Sequence, residues 1–167
     1  SMLAFLTELA LLESPSDAPD TQAPVQARLG QALRVLGFRV RVLKGRATGG
    51  ALFAAPRERV RGRPIQLLLG HSDTVWPLGT LKTMPVALDG DQLRGPGVFD
   101  MKGGLTQMVF ALRVLAQLGI QPEVTPAVLV NSDEEIGSPE SAGLIRRLAC
   151  RSARVFICLL YTSDAAD

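Results

Sequence analysis

Two short apolar runs constrain this chain more than any other feature. Ile65-Gln66-Leu67-Leu68-Leu69, closed by Gly70, and Val124 to Val130 are too short for typical helices and too apolar for strands with one wet face. Runs of this kind read as strands buried on both sides. Between them Leu105, Met108, Leu112 and Leu115 trace one face of a helix that stops at Gly119, so the order is strand, long connection, helix, strand. That alternation calls for an α/β domain whose main sheet is covered by helices. The flanks fit it. A helix is expected over Leu3 to Leu12, broken by Glu13-Ser14-Pro15-Ser16-Asp17. A second carries Val25, Leu29, Leu33 and Leu36 and ends at Gly37. Phe38, Val40 and Val42 alternate with Arg39 and Arg41 as a half-exposed strand, with Ala51 to Ala54 paired beside it across Gly49-Gly50. A helix over Pro139 to Leu148 and a strand over Val155 to Leu160 complete the expectation.

Composition narrows the function. With 167 residues, 47 % of them hydrophobic and 20 % charged, the chain has material for one domain with a substantial core. Eighteen Lys and Arg against 16 Asp and Glu leave a net charge of +2, too balanced to point to nucleic acid. The basic run Arg57, Arg59, Arg61 and Arg63 lacks interleaved aromatics and reads as a solvated loop or hairpin. No segment reaches the roughly 18 uninterrupted apolar residues of a membrane span. The apolar opening has no positive flank and is broken by Glu8, so no secretory signal is expected, and a cytoplasmic location is. Cys150 and Cys158 are the only cysteines, which excludes a disulfide framework and a cysteine-built zinc site. His71 is the only histidine, so any mechanism that needs two cannot be complete here.

Three clusters carry the chemistry. His71-Ser72-Asp73 follows the first buried strand; in an extended backbone residues i and i+2 face the same side, so Asp73 can accept from one imidazole nitrogen while the other binds a metal. Gly95-Pro96-Gly97-Val98-Phe99-Asp100-Met101-Lys102-Gly103-Gly104 fits neither the dinucleotide pattern nor the P-loop, and its glycines instead shape a turn that presents Asp100. Asn131-Ser132-Asp133-Glu134-Glu135-Ile136-Gly137-Ser138 follows the second buried strand. Its consecutive carboxylates repel one another unless a cation compensates, and in an extended backbone Glu134 and Glu135 diverge, one to bind metal and one to handle a proton. Each cluster alone has an ordinary reading: a hydrogen-bonded structural histidine, a surface aspartate, an acidic turn with Ser138 as helix N-cap. Together they fall beyond strand ends or in the connection between strands, where open α/β sheets place ligands, and their nitrogen and oxygen donors suit zinc and related metals.

In order and spacing, His71-Ser72-Asp73-Thr74-Val75, Gly95-Pro96-Gly97 with Asp100-Met101-Lys102-Gly103-Gly104, and Asp133-Glu134-Glu135 with Gly137-Ser138 resemble the motifs of the glutamate carboxypeptidase, aminoacylase, acetylornithine deacetylase and succinyl-diaminopimelate desuccinylase family. The resemblance runs from about Leu3 to Ile157 and includes Glu13-Ser14-Pro15-Ser16. Gly95-Pro96-Gly97 with Phe99 looks most like the glutamate carboxypeptidase branch. The resemblance implies a zinc-exopeptidase-like three-layer fold, helices on both faces of the sheet. It implies a hydrolase that cleaves an amide bond in a small peptide or N-acyl amino acid to release a C-terminal amino acid through a zinc-activated water. His71 would bind one metal, Asp100 would bridge the pair, Glu135 would bind the other, Asp73 would orient His71, and Glu134 would be the general base. Zinc would be the metal, two ions per complete site, with cobalt or manganese as substitutes. The Asp100–Met101 peptide would be cis, and the full-length protein a homodimer.

The departures matter equally. The family pattern needs a further carboxylate after the next strand, where Leu160 stands, and a second histidine, which this chain does not have. The family's dimerisation domain has no counterpart either. The expectation is therefore an N-terminal part of a catalytic domain over residues 1–157, inactive alone, followed by a non-native, adaptor-derived tail over 158–167. The alternatives are an N-acyl-amino-acid deacylase of the same family and a non-catalytic binding or assembly protein on the same scaffold.

Overall fold

The computed structural model describes residues 1–157. Four α-helices, α1 (Met2–Ala10), α2 (Gln22–Val35), α3 (Gly103–Gln117) and α4 (Ala142–Ala149), surround a five-stranded sheet. Its strands are β1 (Phe38–Leu43), β2 (Ala51–Pro56), β3 (Ile65–His71), β6 (Thr125–Asn131) and β7 (Arg154–Ile157), in the order β1-β2-β6-β3-β7. β4 (Ala87–Asp89) and β5 (Gln92–Arg94) form a separate hairpin in the connection between β3 and α3. β3 pairs in parallel with β6 and β7, whereas β2 runs antiparallel to both β1 and β6. No described helix is long and apolar enough to cross a membrane.

The apolar runs are central because both of their faces are covered. Successive side chains of a strand point to opposite sides, and on β6 Val128 and Val130 join a core with Leu9, Leu29, Leu33 and Leu105 from α1, α2 and α3. The intervening Ala127 and Leu129 face the other way, with Ala51 and Leu67, against Leu144, Ile145 and Leu148 of α4. Helices therefore lie on both faces of the sheet, as expected. The β3–β6 register, Ile65 with Thr125 through His71 with Asn131, brings the C-terminal ends of the two strands side by side.

Three boundaries differ from the sequence reading. β3 runs through Gly70 to His71, because a Cβ at position 70 would press on Leu105 and Met101 and glycine lets α3 and the Met101 turn close over the strand. The fourth helix starts at Ala142 rather than Pro139: Ser138 has φ +57°, and the Asp133 carboxylate takes up the amides of Glu140 and Ser141. Ser138 is therefore not its N-cap. The acidic stretch is also not extended, since residues 134–137 form a turn. The last strand is described to Ile157; the rest of the strand expected to Leu160, and the tail 158–167, lie outside the described residues.

Gly50 and Gly37 separate two reasons for glycine. Both have positive φ, 75° and 83°, but a Cβ at Gly37 meets nothing within 4 Å while one at Gly50 collides with the Leu43 carbonyl. Gly37→Ala should cost about 1–2 kcal/mol from backbone strain alone. Gly50→Ala adds overpacking, for a total of about 2–5 kcal/mol. Urea unfolding of the two variants checks the ranking, which equal losses would contradict.

Candidate metal centre

His71 ends β3 opposite Asn131, the last residue of β6. Beyond it the chain lies alongside Ser14-Pro15-Ser16: Thr74 N–H donates to the Ser14 carbonyl at 2.9 Å and Ser16 N–H to the Thr74 carbonyl at 3.2 Å. This places Asp73, 0 % exposed, at the centre of the strand-end loops. Asp73 Oδ1 accepts the Glu134 amide at 3.3 Å, and Oδ2 accepts the Glu135 amide at 3.1 Å and the Ser16 hydroxyl at 2.7 Å. Asp73 does sit beside the imidazole, with Oδ1 3.4 Å from His71 Nδ1. The shorter contact of Nδ1, 3.0 Å, is to the backbone carbonyl of Asp73, so the pairing involves the residue's main chain as well as its side chain.

Asp100 reaches the imidazole from a turn that glycine makes possible. Gly97 has φ +67°, and a Cβ there would lie 2.6 Å from Thr74 Cγ2, so the turn can rest on the His71–Thr74 segment only without a side chain. The Asp100–Met101 peptide is cis. Met101 is buried, with its sulfur 3.1 Å from the His71 amide, and Asp100 Oδ1 lies 3.0 Å from His71 Nε2. Glu134 Oε2 is 3.7 Å from the same nitrogen. Donor atoms of His71, Asp100 and Glu135 all lie within 4.8 Å of one another. Asp133 does not join them. It is fully buried and turned away, accepting from Asn131 Nδ2 at 2.9 Å and from the amides of Glu140 and Ser141 at 2.9 and 3.0 Å. One of the three consecutive carboxylates therefore shapes the loop while the other two face the imidazole.

The charges are unbalanced. Burial opposes a charged His71, yet the hydrogen bond and charge of Asp73, with Glu134 and Asp100, raise its pKa to about 9. Burial also opposes ionisation of Asp73, but hydrogen bonds from His71 and Ser16 and the imidazole's charge hold its carboxyl below the usual range. Burial and neighbouring Asp100 push Glu135 up, with only His71 pulling it down. One imidazole thus serves several converging carboxylates, and a divalent cation is the charge that would relieve them. The donor set, one nitrogen with carboxylate oxygens, fits zinc-like ions.

Several contributors escape a reading of the sequence. Ser16 touches Asp73 from 57 residues away. Lys102, 1 % exposed, donates from Nζ to the Leu12 carbonyl at 2.6 Å; burial lowers its pKa to about 8 against the pull of Glu13. Glu140 accepts the amides of Arg46, Ala47 and Thr48 and the Thr48 hydroxyl, tying the β1–β2 connection to the loop after β6. Lys102 and Ser16 stand inside stretches that draw notice in the sequence, but neither is marked there as a partner of the site. The contacts themselves have no local signal, because the partners are dozens of residues apart.

Fold and site together define an α/β domain with a nitrogen and oxygen donor cluster at the carboxyl ends of parallel strands. The chain belongs to the peptidase family M20/M25/M40, whose model matches residues 67–162, more than half of its length. It is 32 % identical over 151 residues to carboxypeptidase G2 of Pseudomonas sp. (strain RS-16), covering 89 % of this chain and 36 % of that protein. It is 34 % identical over 159 residues to succinyl-diaminopimelate desuccinylase 2 of Shewanella loihica, covering 90 % of this chain and 40 % of that protein. The chain thus spans well under half the length of these relatives. In fold it is similar to human carnosine dipeptidase 1, with a TM-score of 0.78 at 18 % identity over 93 % of this chain and 38 % of that one.

The raised His71 pKa makes stability depend on pH. The folded value, about 9, exceeds the ordinary 6.5, so this stabilisation is full below pH 6.5 and is lost as pH rises through 9. Lys102, lowered from 10.5 to about 8, acts oppositely above pH 8. In metal-free protein the melting temperature should fall from pH 6.5 to 8, and His71→Asn should flatten that slope. A slope that persists in the variant would refute the assignment to His71.

Proposed function

We propose that this chain is the metal-binding part of a zinc-dependent hydrolase that cleaves an amide bond to release a C-terminal amino acid. The observation that carries the reading is the convergence of His71, Asp100 and Glu135 within 4.8 Å, with Glu134 3.7 Å from the imidazole, in a peptidase-family domain. His71, Asp100 and Glu135 are the ligands the chain contributes to a two-zinc site. The remaining carboxylate and second histidine come from the rest of the protein, which we propose is a homodimer. Bound zinc supplies a Lewis acid that polarises the amide carbonyl and lowers the pKa of water to about 7. Glu134 takes the proton of the attacking water onto a carboxylate oxygen and releases it to the departing amine nitrogen as the C–N bond breaks. Asp73, through its carboxylate and carbonyl, orients His71 so that Nε2 faces Asp100.

Gly95-Pro96-Gly97 with Phe99 and the likeness to carboxypeptidase G2 favour the carboxypeptidase reading. The desuccinylase relative favours a second, an N-acyl-amino-acid deacylase using the same groups. A panel of dipeptides and N-acyl amino acids, offered to zinc-loaded full-length protein, separates the two, and hydrolysis of neither class would overturn both.

The division of labour between the two glutamates is tested in the same protein. Glu134→Gln should lower kcat by about 10²–10⁴ with zinc content nearly unchanged, whereas Glu135→Gln should lose zinc. Equal metal loss in both variants would refute the assigned roles. The 167-residue chain, holding only part of the ligand set, should take up zinc loosely. Two tightly held ions per monomer, measured by calorimetry and metal analysis, would refute that expectation.

A further inference from the structure

The segment before α2 lies outside all three motifs, yet it delivers a hydroxyl to the most buried carboxylate of the site. Ser16 is 8 % exposed, and its Oγ lies 2.7 Å from Oδ2 of Asp73, which is 0 % exposed. That stretch is fastened along its length. Lys102 Nζ donates to the Leu12 carbonyl at 2.6 Å, and the Glu13 carboxylate accepts the amides of Gly79 and Leu81 at 2.9 and 3.0 Å. Ser14 Oγ donates to the Ser72 carbonyl at 2.7 Å, and Gln22 Nε2 donates to the carbonyls of Ser14 and Pro15 at 2.9 and 3.2 Å. Ser16 N–H is itself taken by the Thr74 carbonyl. The hydroxyl is therefore held in place by the backbone that carries it.

We propose that Ser16 is a positioning residue of the metal centre: its hydroxyl fixes the rotation of the Asp73 carboxylate, so that one oxygen faces His71 and both receive the amides of Glu134 and Glu135. A carboxylate has two oxygens and rotates about one bond. Backbone amides on the far side cannot alone hold that angle, because they sit on a turn the same carboxylate organises. Ser16 comes from a separately anchored part of the chain and supplies the fixed reference. Without it Asp73 can rotate, and the Glu134–Glu135 turn and the imidazole lose a common anchor. Groups that orient a metal ligand from behind typically influence metal affinity by about 10–100-fold.

The inference rests on the proposed metal site for one of its two readouts only. In the metal-free 167-residue chain, Ser16→Ala should accelerate hydrogen exchange of the Glu134 and Glu135 amides by about 10-fold, the scale of one charge-assisted hydrogen bond. The β6 amides of Leu129 and Val130 should be unchanged, and Ser16→Thr, which keeps the hydroxyl, should restore protection. Zinc affinity should fall about 10-fold in the alanine variant and recover in the threonine variant. Equal acceleration of all four amides, an alanine variant that does not fold, or a folded threonine variant that behaves like alanine would make Ser16 an ordinary packing residue and overturn the proposal. A full-length wild-type protein that takes up no zinc would overturn the proposed function instead, and the exchange measurement would still decide the role of Ser16.

Discussion

A carboxylate with no solvent exposure must have its charge answered by the protein itself, and the Asp73 carboxylate obtains that answer from three separate parts of the chain. The Ser16 hydroxyl, the amides of Glu134 and Glu135, and the imidazole of His71 converge on its two oxygens. Burying such a group without these partners would cost several kcal/mol, so the folded state is reached only when the segment before α2, the end of β3 and the turn after β6 meet. The same requirement that satisfies Asp73 therefore brings the metal-facing carboxylates to the imidazole. Asp133 repeats the device nearby, with Asn131 and the amides of Glu140 and Ser141 as its partners.

Much of this was legible in the sequence because the deciding signals are local. Ile65–Leu69 and Val124–Val130 announce buried strands by lacking alternation, and the spacing of Leu105, Met108, Leu112 and Leu115 announces the helix between them. His71 and Asp100 stand out by their positions after a strand and in a glycine-shaped turn, the choice of Glu135 over Glu134 is what the family resemblance implies, and the structure brings the three together. What stayed hidden depends on contacts between distant residues. Nothing around Ser16 or Glu140 hints at their partners, 57 and more than 90 residues away. The acidic stretch misled for a related reason: three consecutive carboxylates read as one unit, whereas Asp133 faces inward and the turn at 134–137 redirects the next two. The late start of α4 goes with the same turn, in which Ser138 sits at positive φ and the Asp133 carboxylate takes the amides of Glu140 and Ser141.

The electrostatics of the centre show how the fold tolerates so much negative charge. Asp133 is stabilised by backbone amides and a short side chain, which are dipoles rather than ions, and Asp73 by such dipoles together with the His71 imidazole. Full cations are kept at a remove: Lys102 is buried but spends its reach on the Leu12 carbonyl. The imidazole is thus the only positive group that Asp100 and Glu134 contact among the described ion pairs. That leaves the carboxylates available to an ion from outside, which a competing internal lysine would have neutralised.

β6 sits between an antiparallel neighbour and a parallel one, paired with β2 from Ala51 opposite Asn131 and with β3 from His71 opposite Asn131. A slip of one residue would have to break both ladders and exchange every side chain between two filled faces. The spacing between the strand ends from which His71 and the glutamate turn depart is therefore inherited from the most deeply buried strand of the sheet. The exposed positions of the surrounding loops, such as Val75, Phe99 and Ile136, are not tied to that spacing. The sheet serves as a ruler, and the residues around the metal-facing groups are free to be rewritten for whatever lies against them.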